Sequence, residues 1–252
     1  MSEPIRLAMW SGPRNISTAM MRSFGNRPDT AVTDEPFYAA FLKATGIDHP
    51  MREESMASQP TDPGVVVERL LGPAPGSKPI WYQKHITHHM VKGFPRGWIA
   101  KMRNAFLIRG PEDVLASYVQ KREDVTLDDI GFVSQAELFE RERDRLGRAP
   151  PVIEADDVLA DPRAALSALC AALDVPFSQT MLAWPPGRRE SDGVWAAVWY
   201  GAVERSTGFA RERRSTRPVA LEPRLQRIAD AARPFYARLR RHKLNIAGAP
   251  SA

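Results

Sequence analysis

At 252 residues, with 43% apolar and 26% charged residues, the chain has the make-up of a soluble globular protein and length for one large α/β domain or two small ones. Its net charge of +5, from 35 Lys and Arg against 30 Asp and Glu, favours anionic ligands but is too small to mark a nucleic-acid or membrane-surface binder. Cys170 is the only cysteine, which excludes an intrachain disulfide and fits a reducing cytoplasm, and no stretch approaches the roughly 18 apolar residues of a membrane span.

The N-terminus, Met-Ser-Glu-Pro-Ile-Arg, carries no basic region ahead of an apolar run, so no signal peptide is expected and a cytoplasmic location is. An apolar run (Ile5, Leu7, Ala8, Met9, Trp10) then stops at Ser11-Gly12-Pro13, and Ser17 to Phe24 reads as a helix. Thr30 to Pro36 is a short β-branched run ending at the acidic pair Asp34-Glu35. Phe37 to Thr45 reads as helical, 48–63 as a mobile loop with three prolines, and Gly64 to Leu71 as a short helix.

Ile80 to His85 is the third expected strand, followed by a turn carrying His88 and His89. A helix is expected from Phe94 to Arg103. Asn104 to Arg109, with four apolar residues in a row, reads as a strand covered on both faces. Gly110-Pro111-Glu112-Asp113 opens a helix to about Lys121, with proline and acids at its first turn. A long charged helix is expected over 126–146, a fifth strand over 151–156, and a helix from Asp161 to Leu173 that makes Cys170 a core residue. The region 178–218 has no legible pattern, and Leu221 to Leu244 reads as a closing helix.

Strands alternating with helices predict an α/β fold of three layers, a parallel sheet with helices on both faces. With no repeat and no linker, residues 1–252 read as a single domain. Ligands of such sheets lie beyond the carboxyl ends of the strands. That gathers 11–18, Asp34 and Glu35, 84–89, Arg109 and Gly110, and Asp156 and Asp157 around one crevice.

A strand that breaks at Gly-Pro and restarts as a helix leaves free backbone N–H groups aimed at one spot. The loop Gly12, Pro13, Arg14, Asn15, Ile16 with Ser17 and Thr18 is therefore a candidate anion site. It is not a Walker A motif, since it lacks the second glycine and the Gly-Lys-Ser/Thr that hold a triphosphate and its magnesium. Arg109 ends its strand, and Ser117 lies about two helical turns further on, where its hydroxyl can share a phosphate with that guanidinium.

Together, Pro13-Arg14-Asn15-Ile16-Ser17-Thr18 and Arg109…Ser117 resemble the two nucleotide-binding motifs of sulfotransferases that use PAPS, 3′-phosphoadenosine 5′-phosphosulfate. Val152 to Pro162 is similar to the family's fifth strand and following helix, and the likeness runs from about Ile5 to Phe177. It implies a P-loop-like sulfotransferase fold, PAPS as donor, no metal, and a small-molecule hydroxyl acceptor rather than nucleic acid. It further implies that Arg14, Ser17 and Thr18 hold the phosphosulfate, and Arg109 and Ser117 the 3′-phosphate. Arginine at position 14 is similar to bacterial members, and the family's C-terminal Arg-Lys-Gly signature is missing, with Arg211, Arg213 and Arg214 as substitutes.

Sulfuryl transfer needs a base, in-line placement and positive charge on the departing phosphate oxygen. Arg14 is the candidate for that charge, and Lys84 for the bridging oxygen. Two residues are candidates for the base, Glu35 past the second strand and His85 past the third. The acidic strand end favours Glu35, because the family's Lys-x-His spacing is not kept by Lys84-His85. The group His85, His88 and His89 is alternatively a metal site, in which positions 85 and 89 would share a face if the turn is helical, although a third ligand is not evident. Trp195, Trp199, Tyr200 and Phe209 are candidate walls of an acceptor pocket. The alternatives to an active sulfotransferase are an inactive anion-binding protein of the same fold and a phosphotransferase with a degenerate P-loop.

Overall fold

Strand β1 (Ile5–Ser11) is the centre of a parallel sheet, because the chain builds first on one side of it and then on the other. In the computed structural model, which describes residues 3–209 and 220–246, five strands run in the order β2-β3-β1-β4-β5. The others are β2 (Thr30–Asp34), β3 (Ile80–Ile86), β4 (Arg103–Ile108) and β5 (Val152–Glu154). Register brings Asp34 abreast of Lys84, and Lys84 abreast of Met9, so the strands end nearly level. The reversal of direction at β1 opens the crevice expected of such sheets.

Eleven α-helices occur among the described residues: α1 (Ser17–Gly25), α2 (Tyr38–Thr45), α3 (Arg52–Ser58), α4 (Pro63–Leu71), α5 (Pro111–Tyr118), α6 (Phe132–Leu146), α7 (Ala155–Ala160), α8 (Pro162–Ala172), α9 (Ala196–Trp199), α10 (Gly201–Glu204) and α11 (Pro223–Arg240). Alternation along β1 splits the core in two. Leu7 and Met9 meet Met20, Met21 and Phe24 of α1 and Leu166 and Leu169 of α8. On the other face Ala8 and Trp10 meet α4, α6 and α11 through Val66, Leu70, Leu138, Phe139 and Leu239. Both faces of the sheet are covered, so its strands are apolar runs rather than alternating ones.

Four expectations need correction. The proposed loop 48–63 contains α3, with two acids in its first turn and Ser55 buried. The helix expected over 126–146 starts only at Phe132, because Gly131 turns the chain at φ 71° and adding a Cβ there would meet the Thr87 hydroxyl at 2.9 Å. From Phe94 to Arg103 there is only a short 3₁₀ turn, Gly97–Lys101, before β4. Strand β5 is three residues long and passes directly into α7. Arg211, Arg213 and Arg214 lie outside the described residues.

Candidate active site

The loop after β1 takes left-handed backbone angles at Arg14 (φ 58°) and Ile16 (φ 48°), unusual for side chains of that bulk. Two contacts hold it there. Asn15 donates through Nδ2 to the Leu107 carbonyl at 2.8 Å, tying the loop to β4. Gly12 lies so close to the 130–131 turn that a Cβ would come within 2.6 Å of the Ile130 carbonyl oxygen. Asn15 and Gly12 therefore shape the loop, and Gly12 does not itself line the cleft. Helix α1 begins at Ser17 with no side-chain cap, so its first-turn N–H groups are left for a ligand.

Two guanidiniums meet beside that helix end. Arg109 donates through Nη1 to the Arg14 carbonyl at 3.0 Å, and Arg14 donates through Nε to the Ser117 hydroxyl at 2.9 Å. Burial, followed by the charge of Arg109, pulls the Arg14 guanidinium below its ordinary value. Among the described residues no carboxylate pairs with either arginine, and Arg109 Nε is buried without a partner. Two half-buried cations side by side repel each other unless an anion joins them. Pro13, Ser17 and Thr18 line the same end of the cleft.

At the other end, Asp34 and Glu35 close on Lys84. The Lys84 ammonium donates to Asp34 Oδ1 at 2.9 Å, Glu35 Oε1 at 2.7 Å and the Tyr200 hydroxyl at 2.5 Å. Tyr200 in turn donates towards both Asp34 oxygens, at 2.7 and 2.9 Å, and the Gly193 N–H adds a bond to Asp34 at 3.2 Å. Burial pushes the Glu35 carboxyl up; the Lys84 charge opposes that and Asp34 adds to it. Burial works against the Lys84 charge, but the two carboxylates outweigh it and hold the ammonium above its ordinary range. Asp34 is thus fully engaged, whereas Glu35, at φ 40°, is turned into the cleft.

The cleft between these ends encloses about 330 Å³. Trp195, Trp199, Tyr200 and Phe209 all line it, together with Tyr38, His49, His88 and His89. The role of Tyr200 was not legible: its hydroxyl is the hub of the acidic cluster, from a segment with no pattern to read. Asp157 turns away to Lys243 at 2.8 Å.

His85 is not brought to the cleft. Neighbouring strand residues point to opposite faces, so with Lys84 facing the site His85 faces the core behind it. There it stacks on Trp10 at 4.5 Å, and burial pulls it down to about 3. Among the described residues, no three His, Cys, Asp or Glu side chains converge as a metal site would require.

The sulfotransferase-domain family matches residues 5–242. Two Arabidopsis thaliana proteins, branched-chain-amino-acid aminotransferase-like proteins 1 and 2, are each 36% identical, over 242 and 201 residues. These stretches are 96% and 80% of this chain but 43% and 35% of the plant proteins, so the chain spans less than half the length of these relatives. Among solved structures, the sulfotransferase domain of the curacin biosynthetic pathway superposes with TM-score 0.55 at 18% identity, covering 92% of this chain and 98% of that one. A sulfotransferase from Alicyclobacillus acidocaldarius gives 0.56 at 14%, covering 98% and 99%. These two structures share the three-layer fold, with its P-loop-like turn after the first strand.

Proposed function

The chain belongs to the sulfotransferase-domain family, and on that premise we propose that it moves a sulfuryl group from PAPS to the hydroxyl of a small-molecule acceptor. The observation that carries this reading is the pair Arg14 and Arg109, half-buried and, among the described residues, without carboxylate partners, at the uncapped end of α1. The orphaned Arg109 Nε and the Ser117 hydroxyl fit a donor with phosphate at two positions. A triphosphate held with magnesium lacks its usual lysine here, which argues against the phosphotransferase alternative.

PAPS supplies an activated sulfuryl group whose bond to the phosphate oxygen breaks as the bond to the acceptor oxygen forms. Glu35 takes the proton of the attacking hydroxyl, its raised value making it a stronger base than an ordinary carboxylate. Lys84, already touching Glu35, supplies positive charge on the path between acceptor and donor. Arg14 and the first-turn N–H groups of α1 neutralise the charge that develops on the departing 5′-phosphate. Arg109 and Ser117 hold the 3′-phosphate and so fix the line of attack.

Calorimetric titration with 3′-phosphoadenosine 5′-phosphate and with adenosine diphosphate tests the donor. Tight, magnesium-independent binding of the first and much weaker binding of the second is expected. Equal binding of the two would remove the basis for PAPS. Labelled PAPS with a panel of alcohols then separates an active enzyme from a binding protein, which would bind the nucleotide and transfer nothing.

A further inference from the structure

The Lys84 ammonium has three hydrogens, and all three are taken: by Asp34 at 2.9 Å, Glu35 at 2.7 Å and the Tyr200 hydroxyl at 2.5 Å. Lys84, Glu35 and Tyr200 line the cleft, whereas Asp34 does not and stands behind the reacting groups. A buried lysine on a flexible four-carbon stem readily gives up its charge, so both its charge and its place have to be held by neighbours.

Asp34 and Tyr200 are themselves held. Asp34 is 4% exposed and accepts a further bond from the Gly193 N–H at 3.2 Å. A phenol oxygen carries one hydrogen and accepts at two lone pairs. The Tyr200 hydrogen goes to Asp34, nearest at 2.7 Å, while Lys84 and the Trp195 indole N–H, at 3.2 Å, take up the lone pairs. The hydroxyl is thereby saturated, with no bond left for an acceptor molecule. Burial pushes it well above its ordinary 10 and the two carboxylates add to that, so it keeps its hydrogen.

We propose that Asp34 and Tyr200 are positioning residues for the transfer, Asp34 anchoring the charge of Lys84 and Tyr200 the place of its ammonium. What Lys84 does in the reaction rests on the sulfotransferase reading, but the anchoring itself does not need turnover.

The proposal carries a pH signature. Burial opposes the Lys84 charge and Asp34 restores it; burial raises the Glu35 carboxyl and Asp34 adds to that. Removing the Asp34 charge therefore lowers both. Transfer needs Glu35 ionised and Lys84 protonated, so Asp34 sets where the rate rises on the acid side and where it falls on the alkaline side. The other titratable groups facing the pair are Tyr38 of α2, Tyr82 of β3 and His89 of the turn after β3, with the Arg22–Asp192 ion pair next to Gly193. Burial holds both tyrosines above their ordinary values and His89 well below its own, so none of the three changes charge between about pH 6.5 and 10.

The first test follows the Lys84 side chain by NMR on protein carrying carbon-13 at lysine Cε, its signal assigned by its loss in Lys84→Met. In the unmutated protein Lys84 is expected to remain charged at pH 10.5, the ordinary lysine value. Loss of charge below that value would mean that burial wins, and overturns the anchoring whatever a variant does. In Asp34→Asn the charge is expected to be lost at least about one pH unit lower than in the unmutated protein, and in Tyr200→Phe, which keeps both carboxylates, less so. An unmoved Lys84 in Asp34→Asn overturns the role of Asp34.

The second test is transfer from labelled PAPS to the fastest alcohol of the panel above, corrected for folded fraction. Asp34→Asn is expected to move both edges of the pH–rate profile towards acid; a lower plateau with unmoved edges would make Asp34 merely structural. Tyr200→Phe is expected to lower kcat at least about tenfold, with acceptor KM and binding of 3′-phosphoadenosine 5′-phosphate within about twofold. A raised KM with kcat unchanged would mean that the hydroxyl touches the acceptor, and overturns its positioning role. A displaced Lys84 titration with no transfer to any alcohol would strike the sulfotransferase reading and leave the anchor standing.

Discussion

Arg14 Nε donates to the hydroxyl of Ser117 at 2.9 Å, across 103 residues of chain. The same arginine accepts a bond from Arg109 on its carbonyl. Its side chain is therefore held by α5 and its backbone by the end of β4. The two candidate phosphate sites are joined through one residue, and a change at either reaches the other.

Arg109→Ala is expected to weaken binding of 3′-phosphoadenosine 5′-phosphate by about 2–3 kcal/mol, the loss of a charge-assisted contact. Ser117→Ala should cost less, about 0.5–1.5 kcal/mol, because a neutral hydroxyl is lost. Combined with Arg14→Ala, Ser117→Ala should deviate from additivity by at least about 0.5 kcal/mol in calorimetric titrations. Strict additivity would mean that the two sites act independently.

Gly12→Ala probes the loop without touching a charge. The added methyl would meet the Ile130 carbonyl, a backbone atom with little room to retreat, so the loop must shift. A stability loss of about 1–3 kcal/mol is expected, as for other overpacked sites, with weaker nucleotide binding alongside. Denaturant unfolding and calorimetry on the one variant check both. Unchanged stability with unchanged binding would show that the loop tolerates the methyl and is not locked by this contact.

The donor end was legible because its signals are local: an apolar run cut at Gly12-Pro13, a helix start, and a strand-end arginine eight residues before a helix serine. The acid pair was legible for the same reason, being fixed by the proline after Glu35. The Tyr200 hydroxyl was not, since it meets Asp34 across 166 residues from a segment with no periodicity. His85 was misplaced although strand geometry could have excluded it: Lys84 and His85 are neighbours and cannot both face one cleft. Strand β3 is buried throughout, so no polar alternation marked which face was which. His49, His88 and His89 reach the cleft wall from the 46–51 segment and the turn after β3, and no spacing in the chain announces that.

Arg22 and Asp192 form a bidentate pair at 2.6 Å for both bonds, with side chains 2% and 0% exposed. The pair pins the 185–193 segment to α1, and Gly193 then donates to Asp34. Asp192→Ala leaves a buried guanidinium alone and is expected to cost about 3–5 kcal/mol. Asp192→Asn, which keeps the shape and one acceptor, should cost less. Both are expected to lower the transfer rate beyond any loss of folded protein, because the strand-end cluster loses its brace. Rates corrected for folded fraction by denaturant titration separate the two effects, and a corrected rate equal to wild type would make the pair purely structural.

Glu35 gives a rate and a stability prediction of opposite sign. Its carboxyl is held above the ordinary 4.5, by burial first and by Asp34 as well, against the pull of Lys84. As the base it must be ionised, so the transfer rate should fall on the acid side through that raised value and lie flat above it. Glu35→Gln is expected to lower the rate by about 10²–10⁴-fold and to abolish that acid limb. For stability the folded value exceeds the unfolded one, so Glu35 favours folding below its unfolded value and loses that contribution as pH rises through the folded value. The Gln variant should therefore be at least as stable as wild type at pH 8, with its advantage shrinking towards pH 5. Denaturant midpoints at the two pH values check the sign, and a variant markedly less stable at pH 8 would show that the Lys84 pair outweighs burial. A variant that kept the acid limb would assign the proton to another group in the cleft.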